Sequence, residues 1–204
     1  MKALIWDAEA LADMVETRRA GFNESFRAFA IDLNWDAALW RQLVLHGTGA
    51  APLRAYLARH GGPTLDEATV AALGADASAR SAALIAAGAA ALHPAAAVLL
   101  DDARRHRLRQ AVVGPATAAE LDALLSSGSR APTPFQIVVP APRIDAGLIH
   151  RARSQLGMDC ADCILIAGTT SAAEAARDAG IDARLLSGPP RGASAVARFG
   201  AAWP

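Results

Sequence analysis

The sequence contains a single lysine, Lys2, and arginine supplies every other basic side chain. That excludes a catalytic lysine anywhere beyond the first few residues. Cysteine is nearly as scarce: Cys160 and Cys163 form one C-x-x-C. A zinc site needs about four ligands, and neither a second pair nor a nearby histidine cluster accompanies this one. Cys163 opens an apolar run, so both cysteines read as structural. An excess of either charge is lacking too, since 20 Lys and Arg face 20 Asp and Glu. Without a basic stripe, a nucleic-acid partner is not expected. No apolar run reaches the ~18 residues of a membrane span. The N-terminus, MKALIWDAEA, meets acids before any long apolar segment, unlike a secretory signal. The expectation is therefore a cytoplasmic protein with no membrane partner. What the chain does have is apolar mass: 53% of 204 residues are hydrophobic, enough for a core without staples. Aromatics are few, but Phe22, Phe26, Phe29, Trp35 and Trp40 fall close together and read as a local core or a subunit contact.

Apolar runs bounded by turn residues predict strands over Ala3–Trp6, Gln110–Val113, Phe135–Val139, Cys163–Ala167 and Ala183–Leu186. Helical spacing fills the later intervals, over Ala95–Arg107, Ala118–Ser126, Ile144–Leu156 and Ser171–Ala179, with Gly180 as a C-terminal cap. This alternation predicts an α/β fold with a parallel sheet covered on both faces. LSSGSRAPTP, from Leu125 to Pro134, reads as a loop. Between the first two strands the chain shows only helical patterns: Glu16–Ala30, Trp35–Leu45, Ala50–His60, Leu65–Leu73 and Asp76–Ala91. Asn34 is the expected N-cap of the second, and GGPTLDEA marks a turn and a new helix start. Such an insert is too long for an ordinary crossover. It reads as a helical domain over 14–92, set into a core formed by 1–13 and 93–204.

Ligands of an open parallel sheet gather beyond the strand C-termini. Those positions are Asp7 and Glu9, Gly114, Val139 and Pro140, and Ala167 and Gly168. The layout resembles the haloacid dehalogenase (HAD) superfamily, whose Rossmann-like core carries an inserted all-helical (C1-type) cap. The nearer likeness is to the β-phosphoglucomutase-like sugar-phosphate phosphatases, especially those acting on xylulose 1,5-bisphosphate. RRAGFNESFRAFAIDLNWDAALWRQLV is similar to that subgroup's A-F-N, F, W-D and L-Y pattern. LGMDCADCILIAGTTSAAEAARDAGI is similar to its stretch reading L-G, E-C-V-A-I-E-D-S, G, A-A and A-G. The resemblance covers nearly the whole chain.

The resemblance implies a phosphoaspartyl mechanism with Asp7 as nucleophile, Glu9 as general acid and magnesium as cofactor. The chain departs from that pattern at each station. The family's D-x-D-G-T reads Asp7, Ala8, Glu9, Ala10, Leu11, so the second acid is lengthened, the glycine replaced and the threonine missing. Gly114 stands where a Ser or Thr would hold phosphoryl oxygens, with Thr117 a turn away. VVPAP keeps the prolines but puts Val139 in place of the lysine. Ala167 and Gly168 replace the E-D pair that holds magnesium. In the cap, the specificity loop T-G-G-K-E-R reads GTGAAP, while Arg19 and Asn23 are kept.

Phosphoryl transfer of this kind needs an in-line carboxylate, a screening cation and donors on the equatorial oxygens. Removing one transition-state donor typically costs ~10²–10³ in rate. Coordinated loss favours a pseudo-phosphatase with a binding, regulatory or assembly role and without a resident metal. Its partner would be another protein, a second copy of the chain or a small anionic metabolite. Two other readings stand beside it: a weak sugar-phosphate phosphatase working through Asp7, Glu9 and Arg143, and a metal-free anion binder. For the last, the helix N-termini after Gly114 and Gly168 would supply N–H donors. Arg19, Asn23, His46, Gly114, Arg143, Thr169 and Thr170 are the expected ligand-binding residues, and no metal ligands are expected.

Overall fold

The computed structural model describes residues 1–128 and 134–186. Residues 129–133 of the expected loop and the C-terminal stretch after Leu186 lie outside the described residues. Five strands form one parallel sheet: β1 (Ala3–Asp7), β2 (Arg109–Gly114), β3 (Ile137–Pro140), β4 (Cys163–Ala167) and β5 (Asp182–Leu185). Their order is β3-β2-β1-β4-β5, with Ile5 opposite both Ala111 and Leu165. The helices that cover the sheet are α6 (Pro94–Arg105), α7 (Ala118–Gly128), α8 (Ala146–Leu156) and α9 (Thr170–Asp178). Side chains alternate across the central strand as period-two pleating requires. Leu4 and Trp6 pack with Leu99, Leu100, Leu121 and Leu124 of α6 and α7. Ala3 and Ile5 pack with Leu148, Ile149, Ala172 and Ala176 of α8 and α9. Burial on both faces is why β1 and β4 read as unbroken apolar runs. The polar edge of Trp6 is satisfied, its Nε1–H donating to Gln110 Oε1 at 3.0 Å.

The helical insert is made of α2 (Val15–Ala28), α3 (Ala37–Leu43), α4 (Ala51–His60) and α5 (Glu67–Ala86). Together these are called the cap. Phe22, Phe26, Trp35, Trp40, Leu43, Leu53, Val70 and Leu73 form an apolar cluster of its own there. Phe29 is the exception among the expected aromatics and lies exposed. The aromatic rings meet tilted or edge-on, at 4.8 Å for Phe22–Trp35 and Phe26–Trp35, as aromatic quadrupoles prefer.

Several boundaries differ from the sequence reading for identifiable reasons. The two helices expected around Gly74 are the single α5. A Cβ on Gly74 would collide with the Ala50 backbone, so this glycine permits close packing and does not end a helix. Asp36, not Asn34, caps α3, its Oδ1 accepting from Leu39 N–H at 2.8 Å. Val44–His46 forms a separate 3₁₀ turn. Phe135 leaves the strand and packs beneath α6 and α7. Ala8–Leu11, expected as loop, is the short helix α1 with Asp7 as its N-cap.

Candidate functional site

The strand ends bring Asp7, Gly114, Val139, Ala167 and Gly168 to one edge of the sheet. Asp7 closes the central strand, and its exposure is 0%. Its Oδ1 accepts from Glu9 N–H at 3.0 Å, which starts α1. Its Oδ2 accepts from Gly168 N–H at 2.9 Å, and Thr169 N–H adds to the same carboxylate. Burial pushes the Asp7 carboxyl above the usual range; the three backbone donors pull it back without reversing the direction. Glu9 lies at the surface, its carboxyl also raised, first by partial desolvation and then by Asp7.

The glycines around Asp7 are fixed by crowding. A Cβ on Gly168 would lie 2.5 Å from both Ala10 N and Glu9 C. The backbone of α1 thus occupies the space that a side chain at 168 would need. Gly114 adopts φ 112°, and a Cβ there would lie 3.2 Å from Ile144 Cδ1 and 3.5 Å from Asp7 Oδ1. Val139 is buried with Val113, Leu148 and Ile149, so the lysine station is part of the apolar core. Ala167 is equally buried.

The expected ligand-binding residues separate into groups. Thr169 sits beside Asp7, but its hydroxyl caps α9 by accepting from Ala172 N–H at 3.2 Å. Thr170 and Arg143 are exposed. Arg19 donates from Nη1 to Trp35 O at 3.0 Å and from Nε to Glu16 at 2.8 Å. Asn23 clamps the same backbone, donating to Trp35 O at 2.9 Å and accepting from Trp35 N–H at 2.8 Å. Both therefore fix the fold of the cap's own turn. His46 is half-buried at the end of the 3₁₀ turn. Beside it, Gly47 has φ 119°, and a Cβ there would lie 2.6 Å from Pro142 Cβ. Gly47 thus rests directly on the segment after β3.

Sequence reasoning missed the most polar buried cluster. Arg18 Nε donates to Glu120 Oε1 at 2.9 Å, and its Nη2 donates to Oε2 at 3.3 Å. Ser81 Oγ also donates to Oε1, at 2.8 Å. Thr117 and Glu120 form a capping box at the start of α7: Thr117 N–H donates to Oε2 at 2.8 Å, and Glu120 N–H donates to Thr117 Oγ1 at 3.2 Å. The T-x-x-E spacing was a visible signal for that half of the cluster; the arginine's approach from α2 was not. The cysteines behave as structural residues: both are free, and burial pushes the Cys163 thiol up to about 11. Among the described residues, no group of three or more His, Cys, Asp or Glu is arranged to hold a metal. Nor is any helix among them long and apolar enough to cross a membrane.

No protein-family model matches the chain. Among curated proteins, it is 31% identical over 193 residues to protein CbbY of Rhodobacter capsulatus, covering 89% of this chain and 83% of that one. The plasmid-borne protein CbbY of Cupriavidus necator is 30% identical over 200 residues, covering 89% and 76%. Among solved structures, CbbY of Rhodobacter sphaeroides in complex with phosphate superposes with a TM-score of 0.80 at 24% identity, covering 93% of this chain and 87% of that one. A mutant of the same protein in complex with xylulose 1,5-bisphosphate superposes equally well. A β-phosphoglucomutase from Clostridium difficile shares the fold at a TM-score of 0.67 and 14% identity, covering 90% and 83%. Sequence likeness along most of both chains, on a shared parallel sheet with a helical insert after its central strand, fixes the assignment: this chain belongs to the CbbY-like phosphatase family of the HAD superfamily.

Proposed function

We propose that this protein is a pseudo-phosphatase, a CbbY-like fold retained for binding, regulation or assembly and not for phosphoryl transfer. The observation that carries this reading is the state of Asp7. A nucleophilic carboxylate must present an oxygen to the phosphorus in line with the leaving group. Asp7 has no exposed surface, and each of its oxygens accepts a backbone N–H. It works as a staple between α1 and the start of α9. Its neighbours supply no charge to compensate, since Val139 and Ala167 lie in the core and Gly114 offers only backbone.

Magnesium, which the family implies, does not fit these residues. A hard octahedral cation wants carboxylate and carbonyl oxygens plus its own waters. Among the described residues, Asp7 is the only acid that closes a strand; its carboxylate is enclosed by N–H donors, and Glu9 beside it lies exposed. The space beside Gly168 is filled by the Glu9–Ala10 backbone. The phosphate and xylulose 1,5-bisphosphate complexes of the CbbY structures make a small anionic metabolite the first ligand to test as a partner.

The deciding experiment is phosphate release from xylulose 1,5-bisphosphate with magnesium present, beside an Asp7→Asn variant. The expected result is equal, background release from both. A turnover within the ~1–10³ s⁻¹ typical of enzymes, lost in Asp7→Asn, would establish a sugar-phosphate phosphatase instead.

A further inference from the structure

The buried ion pair Arg18–Glu120 includes neither Asp7 nor a sheet residue, although the Arg18 charge also reaches Glu9. It lies across the seam between cap and core. Arg18 is on α2 and Ser81 on α5, both in the cap, whereas Thr117 and Glu120 open α7 beside the sheet. Side-chain exposure is 9% for Arg18 and 2% for Glu120. We propose that this cluster is a latch that holds the helical cap shut over the strand ends.

The chemistry suits a latch better than a simple stabilising contact. A buried ion pair gives little net stability, because desolvation offsets the attraction, but it strongly penalises any arrangement in which one charge stays buried alone. Here both oxygens of Glu120 are used, by a two-pronged guanidinium, one hydroxyl from α5 and the amide of Thr117. The full set of donors exists only when α2, α5 and α7 meet. Desolvation pushes the Glu120 carboxyl up, yet Arg18 foremost, with Thr117 and Ser81, outweighs it and holds the group below its usual range.

Other contacts close the same seam. The chain's two crossings between cap and core are tied together, His93 N–H donating to Leu11 O at 2.8 Å. Met14, Ile85 and Ala90, from those crossings and the end of α5, pack within the sheet's own apolar cluster. Gly47 lies on Pro142 at the far side. A ligand bound for the strand ends beneath the cap would have to part this seam. The latch stands independently of the pseudo-phosphatase reading, since it would silence an intact site equally well.

Amide hydrogen exchange on the full chain, read residue by residue by NMR, tests it. The reporters are the amides of His93, Glu9 and Gly168, each hydrogen-bonded at or under the seam. In the wild type they should exchange as slowly as the amides of β1. Ser81→Ala, which removes one neutral donor, should speed them roughly 5–10-fold. Glu120→Gln, which leaves Arg18 buried without its charge partner, should speed them roughly 100-fold or more. In both variants the amides of β1 should change far less. Three results would overturn the latch: reporters already much faster than β1 in the wild type, reporters unmoved by either substitution, or β1 accelerated as much as the reporters. The wild type and Ser81→Ala decide the matter even if Glu120→Gln does not fold. Because exchange and not turnover is read, the outcome is separate from that of the phosphate-release assay.

Discussion

At the residue scale, Asp7 and Gly168 carry the account. The sequence put Ala167 and Gly168 where the family resemblance implies acids, and Asp7 at the end of a strand. It did not show that both Asp7 oxygens would face backbone N–H groups, because that depends on how α1 turns after β1. Nor did it show that position 168 has no room for a side chain. Ala8–Leu11 coils into α1 directly after Asp7, and its Glu9–Ala10 backbone lies on Gly168. A single repair is therefore blocked sterically as well as chemically. Gly168→Asp should give no phosphatase activity and should destabilise the fold, because its Cβ would lie 2.5 Å from Ala10 N. Overpacking of this kind costs about 1–3 kcal/mol. Chemical denaturation should register that loss; an unchanged or raised midpoint would mean that α1 yields easily.

At the element scale, helix and strand periodicity carried most of the architecture. The five strands and the helices covering them fall within a few residues of their expected positions. The failures are local. Four-residue α1 is too short to leave a period, and Gly74 mimics a helix break that packing explains instead. The same close packing appears on the facing helix, where a Cβ on Gly21 of α2 would lie 2.5 Å from Ala77 O of α5. Two influences compete in Gly21→Ala. Helix propensity favours alanine by ~1 kcal/mol, whereas forcing apart two packed backbones costs about 1–3 kcal/mol. The obstacle is a carbonyl of the helix backbone and not a flexible side-chain tip, so the steric cost should win. The variant should melt below the wild type, and a higher midpoint would show that α2 and α5 can separate cheaply.

At the scale of the whole molecule, the sequence announced a parallel sheet with a helical insert, and the comparisons with CbbY place it in that family. The seam between cap and core was hidden, since Arg18 and Glu120 are 102 residues apart and nothing in either segment's pattern points to the other. Arg19 and Asn23 illustrate the same limit: a retained family residue can serve the cap's own backbone, as their shared bond to Trp35 O shows. The proposed pseudo-phosphatase holds Asp7 in internal hydrogen bonds and has no place for a metal at the strand ends. Magnesium binding tests it most directly. A cation that binds the folded chain alone adds ~2.7 kcal/mol at about 100 times its dissociation constant, and each kcal/mol moves the melting midpoint of a chain this size by ~2–4 °C. A working site would thus shift the midpoint by roughly 5–10 °C at that saturation. With sodium balancing the ionic strength, the account predicts no magnesium-specific shift at millimolar concentrations. A shift of several degrees that vanishes in Asp7→Ala would contradict it.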